Sequence, residues 1–190
     1  GIENKMVDGK FIDWNEVDAL FQGVDIIIAH NASFDRAFID RFSSNSPSKI
    51  WACSISDIDW LKRGFTSSKQ ELLCYWHGFY FDAHRAMNDV DALIHLLTFE
   101  TGLERPLLEL IKNSNKSEFV IYAEHFKYDP FKKDILKGNK YRWNPNDKIW
   151  FKKVNLDELE HEKDWLTATI YDQVFKGRVE EIIPSNKYKL

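Results

Sequence analysis

The run V-D-I-I-I-A-H at residues 24–30 constrains this chain most. It is short, β-branched and almost wholly apolar, the pattern of a strand covered on both faces. The segment S-F-D-R-A-F-I-D-R-F follows it directly and reads as a helix, with Ser33 placed to cap it. A second strand of the same character, K-I-W-A-C-S-I, comes after the loop S-S-N-S-P-S at 43–48. Ahead of the first strand, W-N-E-V-D-A-L-F at 14–21 fits a short helix. Beyond the second, S-D-I-D-W-L-K-R predicts another short helix, K-Q-E-L-L-C-Y-W-H-G a helix ended by Gly78, and residues 84–100 a long one. Strand, helix, strand, helix, helix is an α/β pattern.

The character changes around residues 101–106. From there the pattern predicts a helix near 106–113, a strand in E-F-V-I-Y-A-E and a short helix in P-F-K-K-D-I-L-K-G. A hairpin follows in Y-R-W-N-P-N-D-K-I-W-F-K-K-V, turning at Asn144–Asp147, then a final helix and a basic tail. The expected division is an α/β domain over 1–103 and a small α+β module over 104–190.

Composition narrows the classes. Hydrophobic residues make up 44% of the 190 and aromatics 15%, ample material for a core and against wholesale disorder. The two cysteines, Cys53 and Cys74, give no disulfide framework and fit a reducing compartment. With neither an apolar run of transmembrane length nor a leader pattern, a cytoplasmic protein without a membrane partner is expected. The net charge of −4 gives no global sign of nucleic-acid affinity, yet Lys127–Lys153 holds nine Lys or Arg against three Asp. Tyr141, Trp143, Trp150 and Phe151 are interleaved with that charge, as suits stacking on single strands; the competing reading makes Trp143 and Trp150 the core of a small module.

Two segments carry candidate chemistry: H-N-A-S-F-D at 30–35 and H-R-A-M-N-D at 84–89. On the long helix Val90, Leu93, Ile94 and Leu97 form the expected inward stripe, flanked by Ala86 and Leu96. Asp89 then falls inside the apolar arc, while Asp91 lies on the solvated flank. A buried carboxylate needs compensation, from a bound cation or from an Arg or backbone amide. Asp35 follows a buried strand in the first turn of a helix, where the dipole favours an acid and where α/β sheets gather their sites. His84 precedes the second carboxylate by five residues.

Together these segments resemble a known family. H-N-A-S-F-D is similar to the second motif, N-A-x-x-D, of the DnaQ-like 3′–5′ exonucleases, and H-R-A-M-N-D to the third, H-x-x-x-x-D, of their histidine-bearing branch. Order, separation and the intervening W-A-C-S-I-S-D-I-D-W match that layout over roughly residues 1–100. The resemblance implies a ribonuclease H-like exonuclease fold and two Mg²⁺ or Mn²⁺ ions, with Asp35 and Asp89 as ligands and His84 as general base. It implies release of nucleoside 5′-monophosphates from single-stranded DNA 3′ ends in proofreading or repair, a polymerase being a conceivable partner. Asn31, Phe34 and Arg85 are candidates to line the substrate path. The stretch L-K-G-N-K-Y-R-W-N-P-N-D-K-I-W-F-K also resembles an aromatic hairpin module appended to DNA-processing proteins.

One departure limits the claim. The family's first motif, D-x-E, supplies two more ligands, and no Asp here stands two residues before a Glu. The opening G-I-E-N-K-M resembles the segment after the third strand, so the chain is expected to be an N-terminally truncated domain with an incomplete metal site. Its sheet would keep two strands and open edges, unless a missing N-terminal segment or a partner supplies the rest. Alone, the chain should be weakly active or inactive. The alternatives are an exoribonuclease of the same family and a non-catalytic nucleic-acid-binding protein.

Overall fold

The computed structural model describes residues 3–100, 104–171 and 173–189. Two sheets and eight α-helices among these residues make the chain mixed α/β. It divides into two compact units, one running to Asn115 and including Tyr188 again, the other Lys116–Lys187.

In the first unit, α1 (Asn4–Val7) and α2 (Trp14–Gln22) precede β1 (Ile26–Ala29), α3 (Ala32–Ile39) and β2 (Ile50–Cys53). The two strands lie parallel, Ile26 opposite Ile50 and Ala29 opposite Cys53. Because side chains alternate along a strand, each face meets its own cluster. Ile26, Ile28 and Ala52 pack with Leu73, Cys74, Leu96 and Leu110, whereas Ile27, Ala29, Trp51 and Cys53 pack with Ala32, Ile39 and Tyr188. This is why the sequence reads as apolar at every position rather than at alternate ones.

Three polar clips hold the unit. Asp13 caps α2 by accepting from the Asn15 and Glu16 amides. Asp18 gathers the 43–45 loop, accepting from the Ser43 and Ser44 hydroxyls and the Ser44 and Asn45 amides. Arg36, wholly buried, donates to Asp40 at 3.1 Å and to the Pro47 carbonyl at 3.2 Å while lying over Trp51.

Several expectations need correction. Residues 56–63 form turns, not a helix: the Trp60 indole donates to the Ser54 carbonyl at 2.6 Å and Asp57 accepts the Cys53 amide, which ties the segment back to the strand end. Helix α4 (Gln70–Trp76) stops at Gly78, φ +83°, as expected. On α5 (Ala86–Thr98) the buried stripe is Ala92, Leu93, Leu96 and Leu97; Val90 and Ile94, assigned inward from the sequence, are 47% and 54% exposed, and the flanking Ala86 is exposed as well. The helix is rolled so that Asp89 continues the buried line. Helix α6 (Pro106–Ser114), assigned to the second module, belongs to the first unit. Leu110 enters its core, and Glu109 binds Arg63 at 2.7 Å and the Asp59 amide at 2.9 Å. The division falls after Asn115 rather than after residue 103.

The second unit contains β3 (Glu118–Ala123), α7 (Pro130–Gly138), β4 (Arg142–Asn144), β5 (Ile149–Asn155), α8 (Leu156–Thr169) and β6 (Arg178–Ile182). Its sheet is antiparallel in the order β4-β5-β3-β6. The expected basic tail is thus partly a strand, pairing Val179 with Ile121. Ile121, Ala123, Trp150 and Val154 face Leu136 of α7 and Leu166 of α8. Asn155 and Glu158 form a capping box at the start of α8. Behind the core, Glu162 accepts from Lys152 at 2.5 Å and from Asn139 at 2.8 Å, and burial, reinforced by that carboxylate, pushes the Tyr141 hydroxyl far above its ordinary pKa. No described helix is long and apolar enough to cross a membrane.

Candidate functional site

Both strands of the first sheet end at one edge, and a polar residue follows each. His30 follows β1 and Ser54 follows β2, with the imidazole Nδ1 2.7 Å from the Ser54 Oγ. The Ser54 amide donates to Ala29 at 3.1 Å, and the Ala32 amide points at the Cys53 sulfur. These bonds fix the carboxyl edge before any candidate residue is placed.

From that edge the chain turns into α3 through Asn31, in the left-handed region at φ +68°. Asn31 is the N-cap residue, so Ser33, the expected cap, lies inside the first turn. Asparagine tolerates this backbone state better than most residues. Asn31 and Phe34 are exposed, Phe34 at 75%. Asp35 sits half-buried in the first turn, where burial pushes its carboxyl above the ordinary range and a bond to its own amide only partly offsets the push. It is a desolvated carboxylate short of positive charge.

Asp89 occupies the matching place on α5. Its Oδ1 accepts from the His84 main-chain N–H at 3.2 Å, and its carbonyl accepts from the Gln70 amide at 2.5 Å. A backbone amide therefore provides part of the compensation that a carboxylate in this arc needs. His84 is also left-handed, φ +64°, and its side chain is 91% exposed, with Nε2 3.8 Å from Glu71. At that distance between exposed groups the pair is loose. Arg85 is exposed at the N-cap of α5, and Asn88 closes the turn by donating to the Asp82 carbonyl at 3.1 Å.

The charge of the second segment reaches His30. Burial lowers the pKa of its imidazole, and the charge of Asp89 pulls it partly back. His30, Ser54 and Asp89 thus share one neighbourhood; neither His30 nor Ser54 was singled out from sequence, although a polar residue directly behind a buried strand is a legible signal. The trio is not a nucleophilic triad. Ser54 is 0% exposed, so its hydroxyl orients the imidazole and is closed to substrate. Among the described residues no hydrogen bond joins Asp35 to Asp89, and no group of three or more His, Cys, Asp or Glu is placed to hold a metal ion. The two carboxylates match the hard oxygen chemistry of Mg²⁺ or Mn²⁺ in kind but fall short in number.

No family model matches this chain, and neither does any curated protein or solved structure among those compared.

Proposed function

We infer that this chain carries part of the site of a metal-dependent 3′–5′ exonuclease, built on a ribonuclease H-like sheet, that releases nucleoside 5′-monophosphates from single-stranded DNA ends. The observation that supports the reading is geometric: β1 and β2 end side by side, with His30 Nδ1 2.7 Å from the Ser54 Oγ. The segment 30–35 leaves that edge directly into α3, with the Asp89 charge acting on the same imidazole. Open α/β sheets bind their ligands at that edge.

Asp35 and Asp89 would hold the cations through carboxylate oxygens. Bound Mg²⁺ or Mn²⁺ would supply positive charge to the attacking and leaving oxygens of the phosphodiester. His84 would take the proton of the attacking water; its ring is open to a substrate end while its main chain is pinned to Asp89. Arg85 offers an exposed guanidinium to a phosphate, Phe34 an exposed ring to a terminal base, and Asn31 an amide beside it. Two carboxylates stand where the resemblance implies four, so cleavage by these 190 residues alone should be weak or absent.

Manganese titration by calorimetry tests the site directly. Binding heat should be present and should disappear in both Asp35→Asn and Asp89→Asn. A parallel assay follows mononucleotide release from 3′-labelled single-stranded DNA, where any cleavage seen should vanish in His84→Ala. Manganese binding indifferent to both Asp substitutions would sink the proposed ligand assignment, and robust cleavage would sink the expectation of weak activity.

A further inference from the structure

The second sheet has a face that neither α7 nor α8 covers. Directly opposite residues on antiparallel strands share a face. Pairing places Arg142 opposite Phe151, Phe151 opposite Tyr122, and Tyr122 opposite Arg178. All four strands therefore contribute to one row, Arg-Phe-Tyr-Arg, on the side away from the Ile121, Trp150 and Leu166 core.

We propose that this row is a stacking platform for single-stranded nucleic acid. The aromatic pair is half-buried, its ring centroids 6.5 Å apart. The Arg178 guanidinium lies 3.8 Å over the Tyr122 ring and is still 51% exposed. Glu124 and Glu180 hold it in place at 3.0 and 3.1 Å, and the Tyr122 hydroxyl donates to Glu180 at 3.1 Å. A guanidinium fixed over a ring in this way is a preorganised cationic plane on which a base can stack. At the other end of the row Arg142 is exposed and makes no ion pair among the described residues, which leaves it open to a phosphate. Lys153, in the next row, is 54% exposed and only 3.7 Å from Glu118.

Charge favours this occupant over an acidic or apolar partner. Asp157, Glu158, Glu160, Glu162 and Asp164 all belong to α8, behind the opposite face of the sheet. At the Glu118 end of this face Val120 and Lys187 are buried, and its carboxylates are engaged: Glu180 by Arg178 and Tyr122, Glu124 by Arg178, Glu118 by Lys153 and Lys187. Flat rings between cations that can reach phosphates suit a strand whose bases are unpaired, whereas a duplex hides its base faces. The proposal is independent of the nuclease reading, since it uses no residue of the first unit.

The test is fluorescence anisotropy of the full chain with a labelled oligothymidylate of about twenty nucleotides, in EDTA at low salt. Phe151→Leu should weaken binding roughly tenfold, the loss of one stacking partner. Phe151→Tyr should retain it. Arg142→Ala should weaken it several-fold and lower the salt slope by about one. An Asp35→Asn/Asp89→Asn variant should bind unchanged. Oligouridylate bound in the same pattern also supports the platform. The idea is overturned by no binding, by binding that both substitutions leave unaltered, or by equal affinity for a duplex of the same length. Should Phe151→Leu fail to fold, Arg142→Ala decides alone. Oligonucleotide binding without any manganese-binding heat would count against the nuclease reading only, and manganese binding lost in both Asp variants without oligonucleotide binding would count against the platform only.

Discussion

The two units solve the problem of a small sheet differently. The second joins four antiparallel strands into one sheet, and two helices suffice to cover one of its faces. The first has two parallel strands sandwiched between two apolar clusters, and relies on polar clips, the Arg36 one buried, to hold its loops. The surfaces differ accordingly. Of the exposed large apolar side chains among the described residues, nineteen lie in the first unit and six in the second. Phe34, Phe38 and Phe42 recur every four residues along and just beyond α3, and Met87, Val90 and Ile94 run along α5. A unit with that much uncovered apolar surface depends more heavily on each interior bond it does make.

Removing one clip should therefore have the largest effect. Arg36→Ala takes the guanidinium from the Asp40 carboxylate, which among the described residues keeps only the Ser46 hydroxyl, and from the Pro47 carbonyl, and should cost about 4 kcal/mol. Urea unfolding should show the loss in the transition of the first unit and leave the second in place. A single shared transition would break the comparison.

In the second unit the corresponding change is milder. Glu162→Leu takes the carboxylate from the Asn139 amide and from the Lys152 ammonium, which keeps the Asn139 oxygen at 3.4 Å, at a cost of about 3 kcal/mol. The Lys152→Met/Glu162→Leu double variant should recover most of it, because an apolar pair fills the space without a buried charge. If the double variant is as unstable as the single one, the network fixes backbone positions and is more than a compensated pair.

The smallest effect is on pH dependence. Four bonds from Ser43, Ser44 and Asn45 hold the Asp18 carboxyl down to about 2, below the ordinary aspartate value of about 3.9. A depressed acid contributes stability above its unfolded pKa and loses it as pH falls through the folded one. The first unit should thus weaken between about pH 4 and 2. Asp18→Asn should flatten that limb in acid-unfolding curves followed by circular dichroism, and an unchanged slope would assign it elsewhere.

Much of the fold was legible because local and tertiary preferences agree. The runs of residues 26–29 and 50–53 are apolar at every position, as strands covered on both faces must be, and the hairpin at Asn144–Asp147 carries its own turn chemistry. The errors arose where tertiary bonds overrode periodicity. S-D-I-D-W-L-K-R reads as a short helix, yet the Trp60 indole is pulled onto a strand-end carbonyl. Val90 and Ile94 look as apolar as Leu93 and Leu96, and only packing decides which pair turns inward. R-V-E-E-I contains too few apolar residues to announce a strand; it forms because β3 offers an edge. At the site, the half-burial of Asp89 followed from its helical position, whereas His30 lies beside it only because strand and helix converge.

Tyr188 packs beneath the first sheet, on the far side of the second unit in sequence. Within that second unit the two ends are neighbours: Glu118 pairs with Ile182, and the Lys187 ammonium lies 3.4 Å from Glu118. A lobe that begins and ends at one point behaves topologically as an insertion, like a bead tied into a thread. Such a lobe can be excised or exchanged through a short splice without re-routing its host, so the machinery of one lobe is free to change while the other keeps its path.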